Sequence, residues 1–227
     1  MGRRALPKSR DLNPEIRQEY LSRLLPFFVE VGMSKASMDE IAQYLGISKA
    51  TFYKHFSTRD ELFEEFTRYV IDQILKTREY LHDRSRPYHE RYLYAFAAIL
   101  QEINGIGVDF LTDMRTHLPE LWKQIQAMYD VWESELLVFF KEGIEAKIIE
   151  PVNPAILSHM IILYFRELIR PEYLKSLNMT LAEAFVEIFK IQIKGIVRLE
   201  NFDFDRVEEK MRDLLPQMIQ ASREMTD

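Results

Sequence analysis

Nearly every segment of this chain repeats its apolar residues at the period of an α-helix. The first stripe is Ile16, Tyr20, Leu24, Phe27, Phe28 and Val31. Asn13-Pro14 ahead of it predicts a helix start, a capping side chain followed by a residue whose missing N–H costs nothing in the first turn. Gly32 supplies the stop, and Pro26, inside the stripe, should kink the helix. Ser37-Met38-Asp39-Glu40 reads as a capping box, in which Ser37 accepts from a backbone N–H three residues on while Glu40 reaches back. Met38, Ile41, Ala42 and Leu45 then share one side, and Gly46 ends a short helix. Ser48 begins another, to about Phe56, with Phe52 and Phe56 one turn apart. Thr58-Arg59-Asp60-Glu61 repeats the box signature and opens a long helix carrying Leu62, Phe63, Phe66, Val70 and Ile74.

Beyond Arg86-Pro87 the helices lengthen. They are predicted over about 88–104, 108–117, 119–147, 153–170, 180–200 and 204–223. The breaks fall at Asn104-Gly105-Ile106-Gly107, Leu118-Pro119, Glu150-Pro151, Arg170-Pro171 and Asn178. Only 7 Gly and 9 Pro occur in 227 residues, too few for the turn-rich texture of a sandwich or barrel, so the expected fold is all-α. With 47% hydrophobic and 29% charged residues the composition is that of a soluble globular protein. The absence of cysteine excludes disulfides, thiolate zinc sites and thiol nucleophiles. The basic N-terminus has no apolar stretch behind it, and apolar runs such as Met160 to Phe165 are far too short to span a bilayer. A cytoplasmic protein with no membrane partner is expected.

Residues 37–56 have the layout of a helix-turn-helix, two short helices joined by a glycine-containing turn. Ile41, Ala42 and Leu45 on the first helix must pack against Ile47, Phe52 and Phe56 of the second. What remains outward on the second is Lys49, Thr51, Tyr53, Lys54 and His55, with no carboxylate between Ser48 and Arg59. A short helix with such a face can enter a major groove, where long donors reach base edges and phosphates. The charge supports this once divided along the chain. Residues 1–60 carry ten Lys/Arg against seven Asp/Glu, or +3, so the remainder holds −9 of the net −6. A basic head on an acidic body suits a protein that touches phosphate with one end.

Gly32, Ser37–Ala42, the run Leu45 to Phe56 ending Tyr53-Lys54-His55-Phe56, and Thr58–Leu62 closely resemble, in order and spacing, the TetR family of transcriptional repressors. Ala36, Met33, Arg59 and Pro26 depart from the family's usual residues without disturbing the DNA-reading face. The resemblance covers about fifty N-terminal residues by the motif pattern. It implies a three-helix helix-turn-helix DNA-binding domain (1–58, with an N-terminal arm at 1–12) followed by a larger helical ligand-binding and dimerisation domain (59–227). Carried over residue by residue, it implies that Ser37 meets a phosphate and that Ser48, Lys49, Ala50 and Thr51 lie where base edges are read. Tyr53, His55 and Arg59 would contact phosphates, Lys54 either, and Arg3, Arg4, Lys8 and Arg10 would add nonspecific attraction. Each has a plainer reading beside it: Ser37 as a helix cap, Lys54 as a solvated cation, His55 as a group packed at the helix end.

Toward the C-terminus, the helices at 153–170 and 180–200 are apolar nearly all round and so need cover on both sides. One side can be the chain's own core and the other a second copy, through Ile161, Phe165, Leu168, Phe185, Ile188 and Phe189. A two-fold homodimer would also present two reading helices to a palindromic operator on double-stranded DNA. Phe96, Phe110 and Met114, with Trp122, Met128, Tyr129 and Trp132 on the next helix and Tyr164 and Phe165 beyond, could line a pocket for a hydrophobic or amphipathic inducer, or simply be core. The resemblance implies that such a ligand spreads the heads and releases DNA. An enzyme is not expected: there is no His-Glu-x-x-His, phosphate loop or nucleophile elbow. Asp113 and His117, at the one metal-like spacing, read as a surface helix pair. No cofactor is expected. The competing possibility is a DNA-binding or architectural protein governed by a protein partner, which a dry, fully packed body would favour over a cavity.

Overall fold

The computed structural model describes residues 14–168 and 170–197, and these form eleven helices. The head comprises α1 (Pro14–Val31), α2 (Met38–Leu45) and α3 (Lys49–His55), followed by the long α4 (Arg59–Lys76) and the single turn α5 (Glu79–His82). The body continues with α6 (Tyr88–Ile106), α7 (Val108–His117), α8 (Pro119–Glu145), α9 (Pro154–Leu168), α10 (Pro171–Leu177) and α11 (Leu181–Ile196). The all-α expectation holds for fold and order. The expected arm at 1–12, the Asn13 cap and the helix at 204–223 lie outside the described residues.

The N-terminal stripe does what its spacing requires. Leu21, Leu24, Phe27 and Phe28 are buried, and α1 runs on through Pro26, which sits on its exposed side. Ser37 forms the full capping box with Glu40. The second box is only half made. Thr58 accepts from the Glu61 N–H, but the Glu61 carboxylate turns instead to the Ser57 N–H at 2.8 Å and to Arg17 at 2.9 Å. A neighbouring guanidinium and a nearer donor outcompete the cap.

One continuous apolar core runs from the head into the body. Its link is a line of rings: Phe28 against Phe66 at 4.7 Å, and Phe66 against Phe110 at 6.1 Å. Each fully buried ring of this kind is worth about 1.5–3 kcal/mol. The helix expected to end at Asn104 continues to Ile106, whose side chain is 2% exposed, and stops where Gly107 takes a left-handed φ of 76°. Two short helices were not expected. In α10 the Arg170-Pro171 break is itself a start, with Pro171 in the first turn, and Asn178 at φ 52° ends it. α5 has too few residues for a period to register. α8 packs against α4, α7 and α9, and α11 reaches back to α6 and α9. Ile149 and Val197 form an isolated bridge that pins the end of α11 to the turn after α8.

Candidate functional site

The helix-turn-helix is fixed by its turn. Gly46 adopts φ 72°, and the Gly46 and Ile47 N–H groups return to the Gln43 and Ala42 carbonyls at 3.0 and 3.1 Å. Any side chain at Gly46 would strain that conformation. Arg23 Nη2 donates to the Leu45 carbonyl at 3.1 Å, closing the end of α2. Ser48 then caps α3, accepting from the Thr51 N–H at 3.1 Å with its hydroxyl 2.8 Å from that of Thr51. Ile41, Ala42, Leu45, Phe52 and Phe56 are buried, and the two Phe rings lie 5.4 Å apart.

That packing leaves Ser48, Lys49, Ala50, Tyr53 and Lys54 exposed and Thr51 half-buried, on one end of the molecule. Tyr53 presents 45% of its surface, far more than a packed ring would. Lys49 bonds Asp39 of α2 at 2.6 Å. Both partners are largely in water, so the pair contributes about 1 kcal/mol at most and is readily exchanged for another acceptor. Ser37 is exposed but occupied, its N–H and hydroxyl donating to one Glu40 oxygen at 2.9 and 2.6 Å. Those two bonds hold the Glu40 carboxyl below its usual range.

Two residues expected on the outer face are placed differently. His55 is buried at 7% exposure and turned toward α1, edge-on to the Tyr20 ring at 5.2 Å. Burial lowers its pKa, and the nearby Arg17 and Lys54 charges lower it further. It closes the turn of helix that Phe52 and Phe56 begin, and so cannot face outward with them inside. Arg59 is half-buried and already committed: Nε donates to the Ala36 carbonyl at 3.1 Å, Nη2 to the Ser34 carbonyl, and the guanidinium lies 4.6 Å over the Phe63 ring. It clamps the start of α4 to the α1–α2 connection. Arg17 makes a second clamp, binding Glu61 and Glu65 of α4 from α1.

The head also touches the body through a contact the sequence did not suggest. Asp113 of α7 accepts from the Ser34 N–H at 2.8 Å and from the Ser34 hydroxyl. Its own-helix partner His117 lies 3.2 Å away, the surface pair that the i, i+4 spacing implied. No local pattern ties residue 34 to residue 113, so only the fold reveals the link.

Inside the body a narrow cavity of about 40 Å³ lies among α4, α6, α7, α8 and α9. Of the expected pocket residues, Phe96, Met128, Tyr129, Trp132 and Phe165 line it, joined by Ile74, Tyr92 and Leu111. Phe110, Met114, Trp122 and Tyr164 do not. Phe110 belongs to the head–body ring line, Met114 is fully packed in core, Trp122 is half-buried beside the core, and Tyr164 is 39% exposed on the far side of α9.

The expected pairing residues divide: Ile161, Leu168 and Ile188 line an open apolar groove between α9, α10 and α11, and Phe165, Phe185 and Phe189 do not. Ile161, Phe165, Leu168, Phe185 and Phe189 are buried within the protomer, and Ile188 is half-buried. Phe96 draws three of them inward, lying 5.3, 5.2 and 5.4 Å from Phe165, Phe185 and Phe189. The uncovered apolar residues are their neighbours around each helix: Ile156 (61% exposed), Met160, Leu163 and Tyr164 on α9, and Ile191 (69%) on α11. Of these, Met160, Tyr164 and Ile191 line the open apolar groove between α9, α10 and α11. Among the described residues, no helix is long and apolar enough to cross a membrane.

Residues 26–66, which contain all of α2 and α3 with the flanking turns of α1 and α4, match the family model for bacterial regulatory proteins of the tetR family. The chain is 23% identical over 168 residues to YvaF, an HTH-type transcriptional regulator of Bacillus subtilis (strain 168), a match spanning 74% of this chain and 88% of that protein. Its fold is similar to that of a TetR-family regulator of Marinobacter aquaeolei VT8, with a TM-score of 0.65 at 19% identity, over 87% of this chain and 98% of that one. It is also similar to a TetR regulator of Chloroflexus aurantiacus J-10-FL, with a TM-score of 0.63 at 15% identity, over 81% and 97% of the two chains. These matches are transcriptional regulators rather than enzymes. The reading head thus carries, over residues 26–66, the helix-turn-helix of the tetR family of bacterial regulatory proteins, and the helical body shares the fold of TetR-family regulators.

Proposed function

We propose that the protein is a homodimeric repressor that holds a palindromic operator through α3 and releases it when a small apolar or amphipathic ligand occupies the body. The observation that carries this reading is the solvent-facing, carboxylate-free side of α3. Lys49, Ala50 and Thr51 would reach base edges, Ser48 would stand beside them, and Tyr53 and Lys54 would grip phosphates. Ser37 offers the N-terminus of α2 to a phosphate in addition to its capping role. His55 and Arg59 act differently, by holding the head in shape. Residues 1–58 form the reading unit, with its basic arm at 1–12, and residues 59–227 the sensing and pairing unit of a cytoplasmic protein.

The apolar faces of α9 and α11 support pairing with a second copy, because isolated soluble protomers rarely leave such a patch in water. The cavity supports ligand control through its neighbours. Its wall includes Ile74 of α4 and Leu111 of α7, and those two helices carry the Arg59 and Asp113 contacts to the head. Widening the cavity would therefore push on both attachments at once. Its narrowness favours a second reading, in which a protein partner moves the body.

Selection of duplexes from a random pool, with a Lys49→Ala, Tyr53→Ala double variant in parallel, tests the proposal. An enriched palindrome that the variant fails to enrich is the expected result. A folded dimer that enriches nothing at low salt would remove the sequence-reading role.

A further inference from the structure

The cavity wall is hydrocarbon and aromatic ring, and it holds few groups able to form a hydrogen bond. Tyr92 commits its hydroxyl to Gln192 Oε1 at 2.7 Å. Trp132, one turn from both Met128 and Leu136 on α8, is 5% exposed, and its indole N–H is buried without an acceptor. Leaving such a donor unmatched forfeits the hydration it had in the unfolded chain, and folded proteins avoid that cost almost everywhere. An indole nitrogen donates and never accepts, so whatever satisfies it must bring an acceptor.

The rest of the wall sets limits on that acceptor. No Asp, Glu, Lys, Arg or His is among its described residues. Burial pushes the Tyr129 hydroxyl up to about 12 and raises that of Tyr92 well above its usual value, so both stay protonated and neutral at ordinary pH. Two guanidiniums stand behind the wall and are already engaged: Arg166 lies 5.0 Å over the Tyr129 ring and pairs with Asp130 at 3.7 Å, and Arg91 donates to the Leu81 carbonyl and pairs with Glu142. A carboxylate or ammonium in the cavity would lose its hydration and find no opposite charge. An acceptor that is neutral before and after binding loses far less. Met128, unbranched and soft, is the wall residue best able to give way as the cavity fills.

We infer that the cavity takes an uncharged, largely apolar ligand bearing one hydrogen-bond acceptor, such as the carbonyl oxygen of a ketone or ester, to which Trp132 donates. This rests on the body cavity being the sensing site proposed above. Three probes of nearly equal size separate the cases: ethylbenzene has no acceptor, acetophenone adds one carbonyl oxygen, and benzoate adds a charge. Their affinities for the full-length protein are measured by calorimetry, with wild type and Trp132→Phe compared. Acetophenone should lose about two- to tenfold in affinity relative to ethylbenzene in the variant, the net worth of one hydrogen bond. Benzoate should not bind measurably. The carbonyl stretch of acetophenone bound to wild type should also fall below its value in hexane, a measurement that stands even if the variant does not fold. A ratio unmoved by Trp132→Phe, a stretch at the hexane position, or benzoate binding best would overturn the assignment while leaving the sensing site in place. Failure of both neutral probes to bind would instead remove the cavity as a sensing site, and the assignment with it.

Discussion

His55 and Gly143 show what single residues decide. His55 is buried beside two cations, so the folded head resists protonating it and its pKa is lowered. The unfolded chain takes up that proton below about 6.5. This residue's contribution is therefore intact above that pH and is lost as pH falls through it toward the lowered folded value. Thermal melts between pH 7.5 and 5 should show the wild type weakening while His55→Leu stays flatter. Equal losses in both would place the effect elsewhere. The carboxyls of Glu40, Glu61 and Glu142, also held low, act in a separate window below about 4.5. Gly143 makes room for Tyr88, whose ring stacks on Phe139 at 4.2 Å and whose hydroxyl donates to the Phe139 carbonyl at 2.9 Å. A Cβ there would collide with the Tyr88 hydroxyl. Gly143→Ala should cost about 1–3 kcal/mol in denaturant unfolding, as overpacking does; an unchanged midpoint would mean the ring can swing aside freely. A lone glycine inside a helical pattern gave no hint of this in the sequence, because the ring that fills the space is fifty-five residues away.

At the scale of elements, α2 and α3 are tied by a charge pair that also bears on their task. Asp39 places a carboxylate against Lys49, where an acceptor on a base edge would compete for the same ammonium. Asp39→Asn should raise affinity for operator DNA about two- to tenfold at low salt, with the advantage shrinking as salt screens it. Fluorescence anisotropy at two ionic strengths measures this, and weaker binding would mean the pair positions Lys49 rather than detaining it. The boundaries of α2 and α3 were legible because caps and stop are local chemistry: Ser37 with Glu40, Gly46 and Ser48 each act within a few residues. Glu61 broke the same rule because Arg17, far away in the chain, reaches it. The apolar circumference of α9 and α11 was legible too, but which side turns inward was not. Phe96 of another helix decides that, and no periodicity within one segment reports it.

The whole molecule depends on faces and attachments that only the assembled fold defines. Ile191, the most exposed large apolar side chain among the described residues, is the one through which to probe pairing, whereas a charge at buried Ile161 would unfold the protomer. Ile191→Glu should convert the proposed dimer to a folded monomer in sedimentation and weaken operator binding, since two half-sites then bind independently. A dimer of unaltered mass would put the interface on another surface. The Asp113–Ser34 contact tests transmission. Asp113→Ala should leave operator affinity within a few fold while blunting its loss on ligand addition by about fivefold or more. A fully retained response would show that α4 alone carries the signal.

The paired clamps on α4 have a mechanical consequence. Arg17 and Arg59 bind the head to the first turns of a helix of eighteen residues, about 27 Å long at 1.5 Å per residue. Ile74 on the cavity wall lies near the opposite end. Such a helix is a lever whose short displacement at one end is returned enlarged at the other. A tilt of about 10° about the cavity end would carry the head about 5 Å. Across the proposed two-fold pair the displacements would oppose, changing the separation of the reading helices by about a third of the 34 Å spacing that successive grooves demand. In the proposed dimer, a cavity of a few tens of cubic ångströms would thus be enough to govern a register on DNA, provided the lever stays stiff.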